Sequence, residues 1–193
     1  MAGTRVAAQV ADAAARASYG RLLSMLAARS RDIAASEDAL SEAFLAALRT
    51  WPDSGVPGNP DAWLLTTARN GLKNMARHQG VVDASALDLA RLQDEAAADA
   101  DEVPDDRLKL LFVCAHPAID AAVRTPLMLQ TVLGLDAAQI GAAFLVAPAA
   151  MGQRLVRAKA RIKDAGLRFE LPTAGDMPDR LHDVLNAVYA AYG

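Results

Sequence analysis

The chain has 193 residues, enough for one or two small domains. Its hydrophobic fraction of 53% supports a core, but aromatics are only 5%, so the core must be built from Ala, Leu, Val and Ile. A formal charge of −3 argues at first against a polyanionic partner, and a single cysteine, Cys114, excludes an internal disulfide and fits a reducing cytosol. Alanine dominates and strand-like alternation is absent, which predicts an all-α chain.

The net charge conceals a strong asymmetry. Residues 1–80 are net +2, 81–104 net −6, 105–170 net +3 and 171–193 net −2. Two mildly basic blocks therefore flank an acidic segment. Contact with phosphates is a local electrostatic matter, so the total does not argue against DNA. No signal peptide is visible, because Gln9, Asp12 and Arg16 interrupt the N-terminal apolar stretch. The longest apolar run, 137–152, contains Gln139 and Pro148 and is too short to span a bilayer.

Residues 5–50 read as helices with few breaks. Tyr19, Leu22, Leu23, Leu26 and Ile33 form one apolar face. Ser36 begins a further helix, with Leu40, Phe44, Leu45 and Leu48 facing inward. WPDSGVPGNP at 51–60 predicts a loop. Asp61 caps the next helix, which runs through Trp63, Leu64, Leu65, Ala68, Leu72 and Met75 to about His78, and Gly80 closes it. The Ala/Asp/Glu-rich segment 81–104 predicts a flexible linker with transient helix around 84–98. A second unit follows, with helices over 105–114 and 120–134.

Residues 134–165, GLDAAQIGAAFLVAPAAMGQRLVRAKARIKDA, predict two helices joined by a short apolar turn. Asp136 can cap the first, while Ile140, Phe144 and Leu145 supply apolar contacts. Pro148 suits the first position of the second helix, whereas Ala147 is a poor cap. At 100° per residue, Met151, Leu155, Ala158 and Ile162 share a narrow core face. Arg154, Arg157 and Arg161 form a separate stripe, Gln153 lies further round, and Lys159 and Lys163 flank the core face on its other side. This is the layout of a helix-turn-helix whose second helix enters the major groove. Beyond a break at 171–178, residues 180–192 predict an amphipathic helix with Leu181, Val184, Leu185, Val188 and Tyr189. The chain stops while that helix is still apolar on one side, which predicts a covering element beyond these residues.

The remaining residues offer little chemistry. Cys114 lies in the apolar string LKLLFVCA, and His116 before Pro117 reads as a helix end, so a structural role is expected for both. One Cys and one His do not complete a zinc site. No Gly-rich phosphate loop, paired carboxylate motif or Ser/His/Asp arrangement stands out. No metal, cofactor or enzyme activity is expected.

Several strings in order carry a family resemblance: EDALSEAFLAALRTW at 37–51, DAWLLTTARNGLKNMAR at 61–77 and the helix-turn-helix at 134–163. Together they resemble a bacterial RNA polymerase sigma factor of the sigma-70 family, more narrowly the extracytoplasmic-function (ECF) group, over roughly residues 15–168. DDRLKLLFVCAHPAI at 105–119 and RLVRAKARIKDAG at 154–166 are similar to a subgroup with a helical C-terminal extension, and RLHDVLNAVYAAYG resembles its start. The resemblance implies sigma domain two at 1–80, an acidic linker at 81–104, sigma domain four at 105–170 and the start of the extension at 171–193. It implies a cytoplasmic, nucleoid-associated protein that binds core RNA polymerase and promoter DNA. The β′ clamp and β flap would be its polymerase contacts, and its own extension or an anti-sigma protein would regulate it.

The same resemblance implies site residues. Residues 37–51 would dock on the β′ clamp through Asp38, Glu42, Leu45 and Arg49. Residues 61–77 would read the melted −10 element: Asn70 and Asn74 toward base edges, Lys73 and Arg77 toward phosphates. The loop 54–59 would sit where the family holds a flipped base. Gln153, Arg154, Val156, Arg157 and Arg161 would bind the −35 duplex. Arg157 can pair with guanine and Gln153 with adenine, and Val156 can meet a thymine methyl. Pro148, Ala150 and Gly152 depart from the family pattern by removing polar side chains from the start of the reading helix, which implies weak DNA affinity for domain four alone. The alternative function is a sigma mimic or scaffold that binds a regulator without reading promoters.

Overall fold

Alanine and leucine at helical spacing give a chain of α-helices in this computed structural model, which describes residues 2–78 and 105–192. The helices are α1 (Ala2–Ser30), α2 (Ile33–Ser54), α3 (Pro60–His78), α4 (Arg107–Cys114), α5 (Ala121–Leu133), α6 (Ala137–Ala143), α7 (Pro148–Asp164) and α8 (Met177–Tyr192). No strand occurs among the described residues, as the composition predicts. The expected linker 81–104 and the closing Gly80 lie outside the described residues.

Three boundaries in the N-terminal half differ from the sequence reading. Arg31 adopts a left-handed φ of 56°, and the Asp32 amide donates to Ser30 Oγ at 3.1 Å, so the break after α1 takes only two residues. The next helix therefore starts at Ile33, and Ser36 is fully buried inside it rather than at its start. At its other end α2 continues through Pro52 to Ser54, which shortens the expected loop to residues 55–59. Buried Trp51, edge-on to Trp63 with ring centroids 5.4 Å apart, fixes this last turn. Asn59, not Asp61, caps α3: its Oδ1 accepts from the Ala62 amide at 3.0 Å, with Pro60 opening the helix. Asp61 instead accepts from Ser18 Oγ at 2.6 Å.

The described residues form two compact units. One contains residues 2–18 and 35–78, the other 19–34 and 105–192. In the first, Ala7, Ala11 and Ala14 bury one face of α1, while Leu40, Ala43, Ala47, Trp51, Leu64 and Ala68 come from α2 and α3. Small side chains allow close helix approach: a Cβ on Gly3 would lie 2.9 Å from the Pro52 carbonyl oxygen.

In the second unit, Leu22, Leu23, Leu26 and Ile33 share a core with Leu110, Ile119, Leu127, Met128, Ile140, Met151, Leu155 and Ile162. Truncating such a leucine to alanine costs about 2–5 kcal/mol. Backbone meets backbone at Gly20, where any Cβ would lie 2.2 Å from the Val132 carbonyl oxygen. The α5 helix is capped by Asp120 at one end and left-handed Gly134 (φ 70°) at the other. The C-terminal helix α8 packs on it through Val184 and Ala187, secured by an Arg124–Asp183 ion pair at 2.8 Å. Leu181, Leu185, Val188 and Tyr189 of α8 remain exposed.

Candidate nucleic-acid interface

The α6–turn–α7 pair, where the sequence predicts a helix-turn-helix, is built by local hydrogen bonding. Asp136 Oδ1 accepts from the amides of Ala138 and Gln139, each at 2.8 Å, and the Asp136 amide donates to Gln139 Oε1 at 2.9 Å. This capping box starts α6 and adds Gln139 to the expected Asp136 cap. The turn reverses at Leu145, whose φ of 54° is left-handed and whose side chain is 96% exposed. The Val146 amide then donates to the Gly141 carbonyl at 2.8 Å. Gly141 is required there, because a Cβ would approach the Val146 carbonyl oxygen to 2.6 Å. Phe144 and Leu145 do not supply the expected apolar contacts; both are exposed. The α7 helix begins at Pro148, and Ala147 provides no side-chain cap.

The core face of α7 is the expected one: Met151, Leu155, Ala158 and Ile162 are buried. Lys159 is buried with them. Lys163 Nζ pairs with Asp32 at 2.7 Å, and that hydrogen-bonded carboxylate raises the Lys163 pKa above its ordinary value. The outward cations are thus Arg154, Arg157 and Arg161, all exposed on one side. None of the three pairs with a carboxylate among the described residues. They line a groove of about 490 Å³ whose far wall is Ile119, Asp120 and Val123. Gln153 is exposed, Val156 is 62% exposed, and Arg157 Nε donates to the Gln153 carbonyl at 3.3 Å. The five residues expected at duplex DNA therefore share one exposed helix surface.

The other two expected clusters are also solvent-facing. On α3, Asn70, Asn74 and Arg77 are exposed and Lys73 is half-buried. The amide pair falls one turn apart, as does the cationic pair, because both are spaced i, i+4. On α2, Asp38, Glu42, Leu45 and Arg49 are all exposed. Leu45 and Leu48, each 43% exposed, do not face inward as the sequence reading expects. The buried stripe runs instead through Ser36, Ala39, Leu40, Ala43, Ala47 and Trp51. Ala43 and Ala47 take inward positions beside Leu40, which leaves Leu45 and Leu48 on the surface. Of the loop expected to hold a flipped base, Ser54 is helical and Asn59 is engaged as a cap, which leaves 55–58, with Gly55 at φ 84°.

Cys114 is fully buried, with its sulfur 3.7 Å from Thr131 Oγ1. His116 Nδ1 accepts from the Ala118 amide at 3.0 Å. Burial, then the nearby Arg180 and Arg124, hold the His116 pKa below its ordinary value. No helix among the described residues is long and apolar enough to cross a membrane.

Residues 15–81 match the Sigma-70 region 2 family. That match supports a sigma-70 family sigma factor. An uncharacterized protein, R00370, of Rhizobium meliloti (strain 1021) is 40% identical over 169 residues, which cover 84% of this chain. The chain spans 40% of that relative's length. No solved structure matches.

Proposed function

We propose that the chain is an ECF-type sigma factor that binds core RNA polymerase and directs initiation at specific promoters. One observation carries the reading: a sigma-70 region 2 match at 15–81 precedes a helix-turn-helix whose outer face presents Arg154, Arg157 and Arg161 unpaired with carboxylates among the described residues. In this reading residues 1–80 act as domain two, 81–104 as the linker, 105–170 as domain four and 171–193 as the start of a C-terminal extension. Asp38, Glu42, Leu45 and Arg49 dock on the β′ clamp. Exposed leucine among alternating charges supports this, since an apolar centre supplies affinity and the charges fix register. Asn70 and Asn74 read melted −10 bases while Lys73 and Arg77 hold phosphates. Gln153, Arg154, Val156, Arg157 and Arg161 bind the −35 duplex, and the β flap places domain four. The protein acts in the cytoplasm, performs no catalysis itself, and is regulated by the C-terminal extension or an anti-sigma protein.

Titration of labelled full chain with core polymerase tests the first step. The reading expects saturable binding, weakened about tenfold or more by Leu45→Asp, the effect of losing one central interface contact. Absence of binding by the wild-type chain would overturn it. Binding without promoter-specific initiation would favour a scaffold.

A further inference from the structure

The arginine stripe of α7 is unpaired although a carboxylate lines the same groove. Asp120 shares that groove with Arg154, Arg157 and Arg161 and is the one acidic residue lining it among the described residues. Its carboxylate serves its own helix instead: Oδ1 accepts from the Ala122 amide at 3.0 Å, which makes Asp120 the N-cap of α5. The backbone just before it is held by Arg124. One guanidinium makes three contacts there. Arg124 Nε donates to the Ile119 carbonyl at 2.9 Å, Nη1 donates to Asp183 of α8 at 2.8 Å, and Nη2 donates weakly to the Pro117 carbonyl at 3.5 Å. The Ile119 carbonyl and the Asp120 amide belong to one planar peptide. Holding that carbonyl therefore fixes the plane from which Asp120 departs. The anchor is sheltered, since the Arg124 and Asp183 side chains are only 19% and 22% exposed, and such a pair is screened by salt much less than a surface one.

We infer that Arg124 is a positioning residue: tied to Asp183 of the C-terminal helix, it keeps the Asp120 carboxylate on the α5 cap and off the arginine stripe, so that the stripe stays open to a polyanion. The inference rests on the reading of the stripe as a duplex-DNA face and deepens it, because it gives α8 a part in maintaining that face. A carboxylate turned into the groove would compete with phosphate for the same guanidinium donors. Each arginine so neutralised withdraws about one phosphate contact. Lysine cannot replace Arg124 in this role. It keeps the charge and the pair with Asp183, but it lacks the planar fork whose separate nitrogens reach Ile119 and Asp183 together.

Binding of the full chain to a labelled random-sequence duplex, measured over a range of salt, compares wild type, Arg124→Lys, Asp120→Asn and the double variant. Asparagine caps a helix about as well as aspartate, so Asp120→Asn removes the charge and keeps the cap. Arg124→Lys is expected to lower affinity about tenfold near 0.05 M salt and to reduce the salt slope by about one, the loss of one phosphate contact, with a melting temperature close to wild type. Asp120→Asn should recover that loss in the Arg124→Lys background and change the wild type much less. Charge alone predicts neither result. Lysine and arginine carry the same charge, and an uncoupled Asp120→Asn acts equally in both backgrounds. Wild-type affinity and slope in Arg124→Lys would overturn the inference, as would an equal effect of Asp120→Asn in both backgrounds; either result leaves the sigma-factor reading standing. A wild-type chain that binds no duplex would overturn the assignment of the stripe and this inference with it.

Discussion

At Gly141 the Val146 carbonyl oxygen occupies the space a side chain would need. Gly141→Ala is therefore expected to destabilise the fold by about 1–3 kcal/mol, the usual cost of forcing extra volume into a packed site. Urea unfolding followed by circular dichroism measures it; an unchanged midpoint would show that the turn relaxes freely. His116 gives a pH-dependent counterpart. Its imidazole is held neutral in the fold, so as pH falls below its ordinary 6.5 the unfolded chain takes up a proton that the folded one resists. Stability should decline on acidification through this window, and His116→Gln should flatten the profile there. Asp105, whose pKa Arg107 lowers from 3.8, acts only at still lower pH. The arginine stripe is legible in the sequence because i, i+3, i+7 spacing alone defines it. The Lys163–Asp32 pair is not, because it depends on a segment far away in the chain.

Elements are held by their ends as much as by their faces. The α6 helix has only seven residues and cannot persist without external support. Its capping box provides that support, and Asp136→Ala should cost about 1 kcal/mol while Asp136→Asn retains most of the stability. Thermal melts of the three proteins check the order. This box is visible as a D-x-x-Q pattern before an apolar run, and the helix start is accordingly legible. The start of α3 is harder to read, since Asn59, Pro60 and Asp61 all carry initiation signals and only the Ser18–Asp61 hydrogen bond decides between the two caps. The inner face of α2 misleads for another reason. Hydrophobicity favours Leu45 and Leu48 for the core, but the close-packed interior admits Ala43 and Ala47 instead. Large apolar residues left exposed beside charges are what a docking surface requires.

At the scale of the whole molecule, the candidate surfaces lie in two basic blocks separated by an acidic segment, and a net charge of −3 hides them. In the proposed reading, a region 2-like segment that binds polymerase and a helix-turn-helix that faces duplex DNA have a shared use only if both act on one promoter. The most direct measurement is abortive transcription from a promoter library with purified core polymerase, comparing the wild-type chain with Asn70→Ala/Asn74→Ala and Arg157→Ala variants. The account predicts promoter-specific product with the wild-type chain and at least a tenfold loss in each variant, about 1.4 kcal/mol per reading surface. Product unaffected by either variant would contradict the assigned reading surfaces, and no promoter-specific product from the wild type would contradict the sigma-factor function itself.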